Sequence, residues 1–242
     1  MKWFGLLPPL LFLGGCALDT RTMHLGPDSG AGANVGSGAG AGGGPSGLSG
    51  SYGPIPPVEI PECDYDQGVA PGCETLVENP GFPSGIDGWS PEDGTLPIWD
   101  ATHASIRVWN RLHGIVGGFA PGAARQCIPA IGGAIYDVAA DVFIDEGQGL
   151  GGERGDRIDE GVVYEGQAGV TVYFHTLADC GGPTERSFDS TLTKAIGGWV
   201  HLEGSGRSPE LTQSMIVRLN TLKPMREFEF SAKFDNVFVR ER

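Results

Sequence analysis

From residue 76 to the C-terminus the chain is written in a two-residue rhythm of apolar and polar side chains. Between Ala134 and Asp145, Tyr136, Val138, Ala140, Val142 and Ile144 fall on one side, and Asp137, Asp141 and Asp145 on the other, interspersed with Ile135 and Phe143. Side chains alternate across an extended strand, so this period predicts a long strand with one face turned to a core. The same alternation recurs in Ile106/Val108 against Ser105/Arg107/Trp109, in Val170/Val172/Phe174 against Thr171/Tyr173/His175, and in Met215/Val217/Leu219 against Ser214/Ile216/Arg218. In the last strand Phe228, Phe230, Ala232 and Phe234 use even positions, whereas Val237 and Val239 use odd ones. One extra residue around Asp235–Asn236 would swap the faces, which predicts a β-bulge there. No stretch of ten residues carries a helical period, and Gly and Pro recur at strand-length intervals. The expected fold is all-β: two antiparallel sheets packed face to face in a jelly-roll sandwich over residues 62–242.

The first 61 residues have a different composition. Lys2 precedes a short apolar run from Trp3 to Leu13, interrupted by Pro8 and Pro9. About 20 apolar residues are needed to cross a bilayer as a helix, so this run reads as an export signal. Leu13-Gly14-Gly15-Cys16 resembles the lipobox of bacterial lipoproteins. That resemblance implies removal of residues 1–15, acylation of Cys16, and a lipid-anchored protein of the bacterial outer membrane or cell surface. Residues 16–61 then form a tether rich in Gly, Ala, Ser and Pro, too poor in apolar surface to offset the entropy of ordering. A Gly-rich coil of about 40 residues spans roughly 35 Å. Gly38 to Gly43 matches a dinucleotide-binding glycine string, but no strand precedes it and no helix follows, so it carries no such reading.

Setting Cys16 aside, four cysteines remain, an even number suited to an oxidising compartment. Of the three possible connectivities, Cys63–Cys73 and Cys127–Cys180 are the expected pair. In the loop-entropy account they contribute about 3 and about 4 kcal/mol. Residues 62–74 become a small disulfide loop at the start of the domain. A zinc site lacks both a Cys-x-x-Cys pair and suitably spaced histidines.

Several segments in order resemble the carbohydrate-binding modules of galactose-binding-like jelly-roll type, which include xylan- and β-glucan-binding modules. Leu76 to Phe82, followed by Gly88-Trp89, is similar to that family's opening strand. Arg125-Gln126-Cys127-Ile128, Tyr136 to Ala140, Gly198-Trp199-Val200 and Phe234-Asp235-Asn236-Val237 are similar to its later strands. The resemblance implies a sugar-binding role and places Trp89 and Trp199 in the core. It also implies a structural calcium. Asp235 keeps one ligand position, but Pro83 stands where the family has Glu, and a single carboxylate is a poor start for a hard cation. No cofactor is expected.

The chain has 30 acidic and 16 basic residues and a formal charge of −14. This argues against nucleic acid as a partner. No metalloprotease, nucleophile-elbow or phosphate-loop motif is present, so the domain reads as non-catalytic. Arg154-Gly155-Asp156 lies in a charged Gly-rich stretch and reads as a solvated loop. For sugar recognition the candidates are aromatics on the polar faces of strands, where rings can stack on pyranose C–H groups: Trp109 beside Arg107, Tyr173 beside His175, and Trp99 as a third. The competing expectation is a structural envelope lipoprotein that contacts a protein partner and binds no sugar.

Overall fold

The computed structural model describes residues 54–242 apart from 93, 113–118, 149–155, 158–162 and 225–228. Cys16, most of the tether, Phe228 and Arg154-Gly155 lie outside the described residues.

The described residues form twelve strands: β1 (Ser90–Pro91), β2 (Thr95–Asp100), β3 (Ser105–Asn110), β4 (Phe119–Pro129), β5 (Ile135–Phe143), β6 (Asp156–Arg157), β7 (Val163–Tyr164), β8 (Gln167–His175), β9 (Thr184–Asp189), β10 (Trp199–Arg207), β11 (Ser214–Pro224) and β12 (Phe230–Glu241). Two five-stranded antiparallel sheets carry the fold, and β6 and β7 make a small separate ladder. Sheet A has the order β1-β4-β11-β8-β9, and sheet B the order β10-β5-β12-β3-β2. This is the expected two-sheet sandwich.

The alternation read from the sequence fills the space between the sheets. Val138, Val142, Ile106, Val108, Val170, Phe174, Met215, Leu219, Phe230 and Phe234 are all buried in one continuous core. Tyr136 closes one end of it, with its ring 5.8 Å from that of Phe174. Its hydroxyl accepts the Ile131 N–H at 2.6 Å, which satisfies a polar tip in an apolar place. Burial pushes the Tyr136 phenol upward from its ordinary pKa. Along one side the sheets close through β9 and β10. A Cβ on Gly206 would stand 2.1 Å from the Phe188 ring, so only glycine admits this approach.

The bulge in β12 is present. Asp235 pairs with Asp141 and Phe238 with Ala139, so two residues of β12 stand opposite Ala140 alone. Asn236 takes the left-handed conformation there, with φ 48°, a region that Asn tolerates. Val237 and Val239 therefore turn inward, as expected. Phe238 is also fully buried, on the opposite side, where Ile60, Cys63 and Cys73 cover it and Ala139. The strand is thus packed on both faces.

Two expectations need correction. Leu76 to Phe82, read as an opening strand, forms no ladder. Asn79 and Phe82 sit at φ 52° and 48°, which breaks any extended run. The segment is tied in piecemeal: Leu76 donates to Val239 O at 2.8 Å, and Val237 to Pro80 O at 2.9 Å. Gln126 holds the rest, accepting from Glu78 N at 2.7 Å and donating to Glu78 O at 3.1 Å. The second correction concerns Trp199. Trp89 is buried beside Phe82, but Trp199 is 40% exposed on the outside of sheet B.

Residues 54–61, which the sequence assigns to the tether, lie against the domain. Arg242 donates to Pro56 O at 2.7 Å and Arg240 to Glu59 O at 3.4 Å, while Ile60 is buried. Both arginines also engage Asp137, whose side chain is fully buried. The Cys63–Cys73 and Cys127–Cys180 disulfides are both formed, with Cα separations of 5.6 and 6.0 Å.

Candidate functional site

The register of sheet B decides which polar-face side chains meet. Ladder partners point the same way, so Ile98, Arg107, Lys233, Phe143 and Trp199 form one row across all five strands of the outer face. Trp109 lies on the same face, opposite Leu96 and Ser231. Strand spacing puts Trp109 and Trp199 roughly 16 Å apart. The turn between β2 and β3 brings His103 over this row.

At the β10 end the row is aromatic. The Phe143 and Trp199 rings are 5.4 Å apart, and His103 stands 5.7 Å from Phe143 and 6.0 Å from Trp199. Trp199 is therefore braced from behind and still exposed. Edge and tilted contacts of this kind fix a ring without burying it.

At the centre the row is ionic. Lys233 is buried and reaches Asp145 at 2.8 Å and Asp100 at 3.4 Å, with its ammonium 4.9 Å from the Phe143 ring centre. Arg107 bridges the same two carboxylates, at 3.0 Å to Asp100 and 3.1 Å to Asp145. Burial alone would push Asp100 up. The Arg107 hydrogen bond, the Thr102 amide and Lys233 outweigh it and hold the carboxyl at about 2. Two cations and two carboxylates balance, so the centre of the face is polar without net charge.

The next row holds Ser105, Asp235, Asp141 and His201. Asp141 accepts from Asn236 at 2.9 Å and lies 2.8 Å from His201 Nδ1. Asp235 is buried at the bulge, where its Oδ1 accepts the Asn236 amide at 2.8 Å. Burial raises its carboxyl to about 7; the Asn236 amide works against this, and Asp66, Asp141 and Asp64 add to it. Among the described residues no group of three or more His, Cys, Asp or Glu is arranged to hold a metal ion. Beyond this row a cleft opens between residues 59–62 and the outer face of β10, lined by Glu59, Glu62, His201 and Glu203.

The five aromatic and polar candidates from the sequence do not come together. Arg107 and Trp109 share the face just described, although one side of the Trp109 ring is covered by the Arg111 guanidinium at 3.8 Å. Trp99 is 41% exposed, but it lies on the other side of β2 from Ile98, and its indole N–H donates to Phe82 O at 2.9 Å. Tyr173 and His175 belong to the outer face of sheet A. Tyr173 accepts from Arg218 at 2.9 Å. His175 is buried, with neither ring nitrogen hydrogen-bonded, at the base of the loop that Cys127–Cys180 fastens. Trp199, which the resemblance places in the core, and Phe143, His103 and Lys233 are not among the candidates for sugar contact that the sequence offers. Phe143 was visible as an apolar residue on the polar side of β5. Nothing local announced that β12 and β10 would bring Lys233 and Trp199 beside it.

No family model and no curated protein matches the chain. Solved structures with a similar fold include the CBM22-1 and GH10 modules of Clostridium thermocellum xylanase 10B complexed with xylohexaose. That match has 14% identity and a TM-score of 0.44, and covers 67% of this chain and 28% of that one. Another is the CBM22-1 xylan-binding domain of a Paenibacillus barcinonensis xylanase, at 13% identity and a TM-score of 0.44, over 66% and 90% of the two chains. The enzymatically active domain of tailspike protein 4 from bacteriophage CBA120 matches at 12% identity and a TM-score of 0.45, over 72% of this chain and 22% of that one. This chain thus spans about a quarter of the first and third of these proteins. At such identities and TM-scores the likeness carries no argument about function; the sandwich assignment rests on the strand order and register above.

Proposed function

We propose that the protein is a non-catalytic lipoprotein, anchored through acylated Cys16 at the bacterial outer membrane or cell surface, whose sandwich binds a neutral polysaccharide on the outer face of sheet B. The observation that carries the sugar reading is Trp199: an indole 40% exposed, held rigid by Phe143 and His103 at the end of a polar row. A fixed, exposed ring offers its electron-rich face to pyranose C–H groups at little entropic cost. Arg107 and Asp145, both partly exposed, supply a donor and an acceptor for hydroxyls, and the buried Lys233 and the nearly buried Asp100 hold them in place. Their balanced charge, and the carboxylates along the adjoining cleft, disfavour polyuronates. Trp109 extends the same platform toward β2. Anchoring is supported by Lys2, the apolar run and the Leu13–Cys16 tetrad, and by the even set of four cysteines joined in two disulfides.

Affinity electrophoresis against xylan, β-glucan, galactan and a polyuronate tests the site. The expected result is retardation by a neutral polymer, weakened about tenfold in Trp199→Ala. Tyr173→Ala, on the other sheet, is expected to keep wild-type retardation. Equal retardation of both variants, or none of the native chain on any glycan, would overturn the assignment.

A further inference from the structure

We propose that one pole of the sandwich is a lipid-contacting surface, with Ile131, Leu177 and Leu211 as the side chains that enter the boundary between headgroups and acyl chains. Three loops meet at this pole: 130–134 between β4 and β5, 176–183 between β8 and β9, and 208–213 between β10 and β11. Each carries one aliphatic side chain outward, Ile131 at 60%, Leu177 at 49% and Leu211 at 70% exposure. They are cross-braced. Ala130 N–H donates to Gln213 O at 3.1 Å, Gly133 to Pro209 O at 3.2 Å, and Gln213 to His175 O at 2.9 Å. The Ser208 hydroxyl donates to Ile131 O at 2.7 Å, and Ser214 ties the 176–183 loop through Leu177 O and Cys180 N. The disulfide Cys127–Cys180 fastens that loop covalently. The three tips are thus held in place while exposed, against the general cost of leaving large aliphatics in water.

The occupant follows from where the chain comes in. Arg242 N–H donates to Ile135 O at 2.9 Å, which fixes the C-terminus at this pole, and Arg242 Nη1 holds Pro56 O at 2.7 Å. Residues 1–53 therefore connect to the domain at the pole that bears the three tips. On the anchoring reading given above, on which this inference rests, those residues run to a lipidated Cys16, so the same pole is the one nearest the bilayer. The charges fit a neutral or zwitterionic surface rather than an anionic one. Arg240 and Arg242 are engaged by buried Asp137, and Glu210 and Glu241 stand exposed among the loops. The three tips share one pole through braced loops, and on the anchoring reading the bilayer is the apolar medium that the tether keeps within their reach. With the pole on the membrane, the tether limits separation and the loops set orientation. The outer face of sheet B, which runs from pole to pole, then stands alongside the bilayer normal and stays open to a polymer outside the cell.

The test uses the mature chain, residues 16–242 with Cys16→Ser, so that neither the apolar export signal nor an acyl chain contributes, and measures co-sedimentation with phosphatidylcholine vesicles at low and high salt. Salt-insensitive partitioning is expected, weakened at least tenfold in the triple variant Ile131→Ser/Leu177→Ser/Leu211→Ser, whose urea midpoint checks that it folds. Trp199→Ala is expected to partition as the parent does. Equal partitioning of parent and triple variant, binding abolished by salt, or a dimer that depends on the three tips would each overturn the proposal. The mass of the N-terminal peptide of the native protein reads acylation of Cys16 separately. A vesicle result that holds with an unmodified Cys16 would sink the anchor and leave the lipid-contacting pole standing.

Discussion

The outer faces of the two sheets start from similar materials and end in different states. On sheet A, Tyr173 and Arg218 face each other: the guanidinium lies 5.1 Å from the ring, donates to the hydroxyl, and pairs with Glu92. Thr171, Asp189 and Asn220 bond among themselves, and Cys127–Cys180 draws a loop over one end. These groups are committed to neighbours, and His175 is buried. On sheet B, half of the face is covered by residues 54–74 and the other half is left open, with an ionic row at its centre and Trp199 uncovered at its edge. An aromatic ring on a strand's polar side is thus a weak sign of a binding site. What separates the two faces is whether the ring is braced from behind or used up from the front.

The disulfides give the largest lever on this contrast. Replacing Cys127 and Cys180 by Ala frees the loop over sheet A and removes a 53-residue closure. The expected loss is about 4 kcal/mol of stability in urea unfolding, against about 3 kcal/mol for the Cys63/Cys73 pair. Equal losses would mean that the loop-length account does not describe this protein. The next lever is Asp137, the anion beneath the covered half of sheet B. Asp137→Ala leaves Arg240 and Arg242 without their carboxylate and should cost about 3 kcal/mol, seen as a lower urea midpoint. Glu92→Gln on sheet A breaks a partly exposed pair and should cost about 0.5 kcal/mol. Similar costs at the two positions would erase the distinction drawn here between the faces.

The remaining lever is a pH dependence. Asp235 titrates at about 7 in the folded chain, well above its ordinary value, chiefly through burial. Folding therefore favours the protonated form. Its contribution is full below about pH 4, where the unfolded chain is also protonated, and is lost as pH rises to about 7. Asp100, held at about 2, acts in the opposite sense: its contribution is present above about pH 4 and is lost as pH falls through 2. Asp235→Asn keeps an acceptor for the Asn236 amide. It should raise stability at pH 8 by on the order of 1 kcal/mol while leaving pH 4 unchanged, read from thermal midpoints at both values. A variant less stable at pH 8 would show that the ionised carboxylate is needed at the bulge.

What could be read in the sequence was whatever obeys a local period. β5, β8 and β11 each bury one side along their described length, and the bulge at Asn236 announced itself as a change of parity. Cysteine pairing by proximity was also legible. The failures have a common physical cause. The segment from Leu76 to Phe82 has the apolar residues of a strand, but two left-handed residues turn it into a series of bends. The family resemblance places Trp199 in the core, yet its ladder partner is Phe143, on the outer face of β5. Lys233 sits between two buried phenylalanines in the sequence, and only the register of β12 against β3 and β5 shows what it neutralises. Local pattern gives a residue its side of a strand. Neighbours across the sheet decide whether that side becomes a site.

The grip of Arg240 and Arg242 on Glu59 and Pro56 joins groups 181 and 186 residues apart. Residues 54–74 emerge early during synthesis, yet the groups that latch Pro56 and Glu59 and fill the space beneath Cys63–Cys73 belong largely to β12. Those contacts wait for β12, so a chain truncated within that strand should present residues 54–74 unlatched, with Phe238 missing from beneath their disulfide. Assembly therefore closes last over residues 54–74.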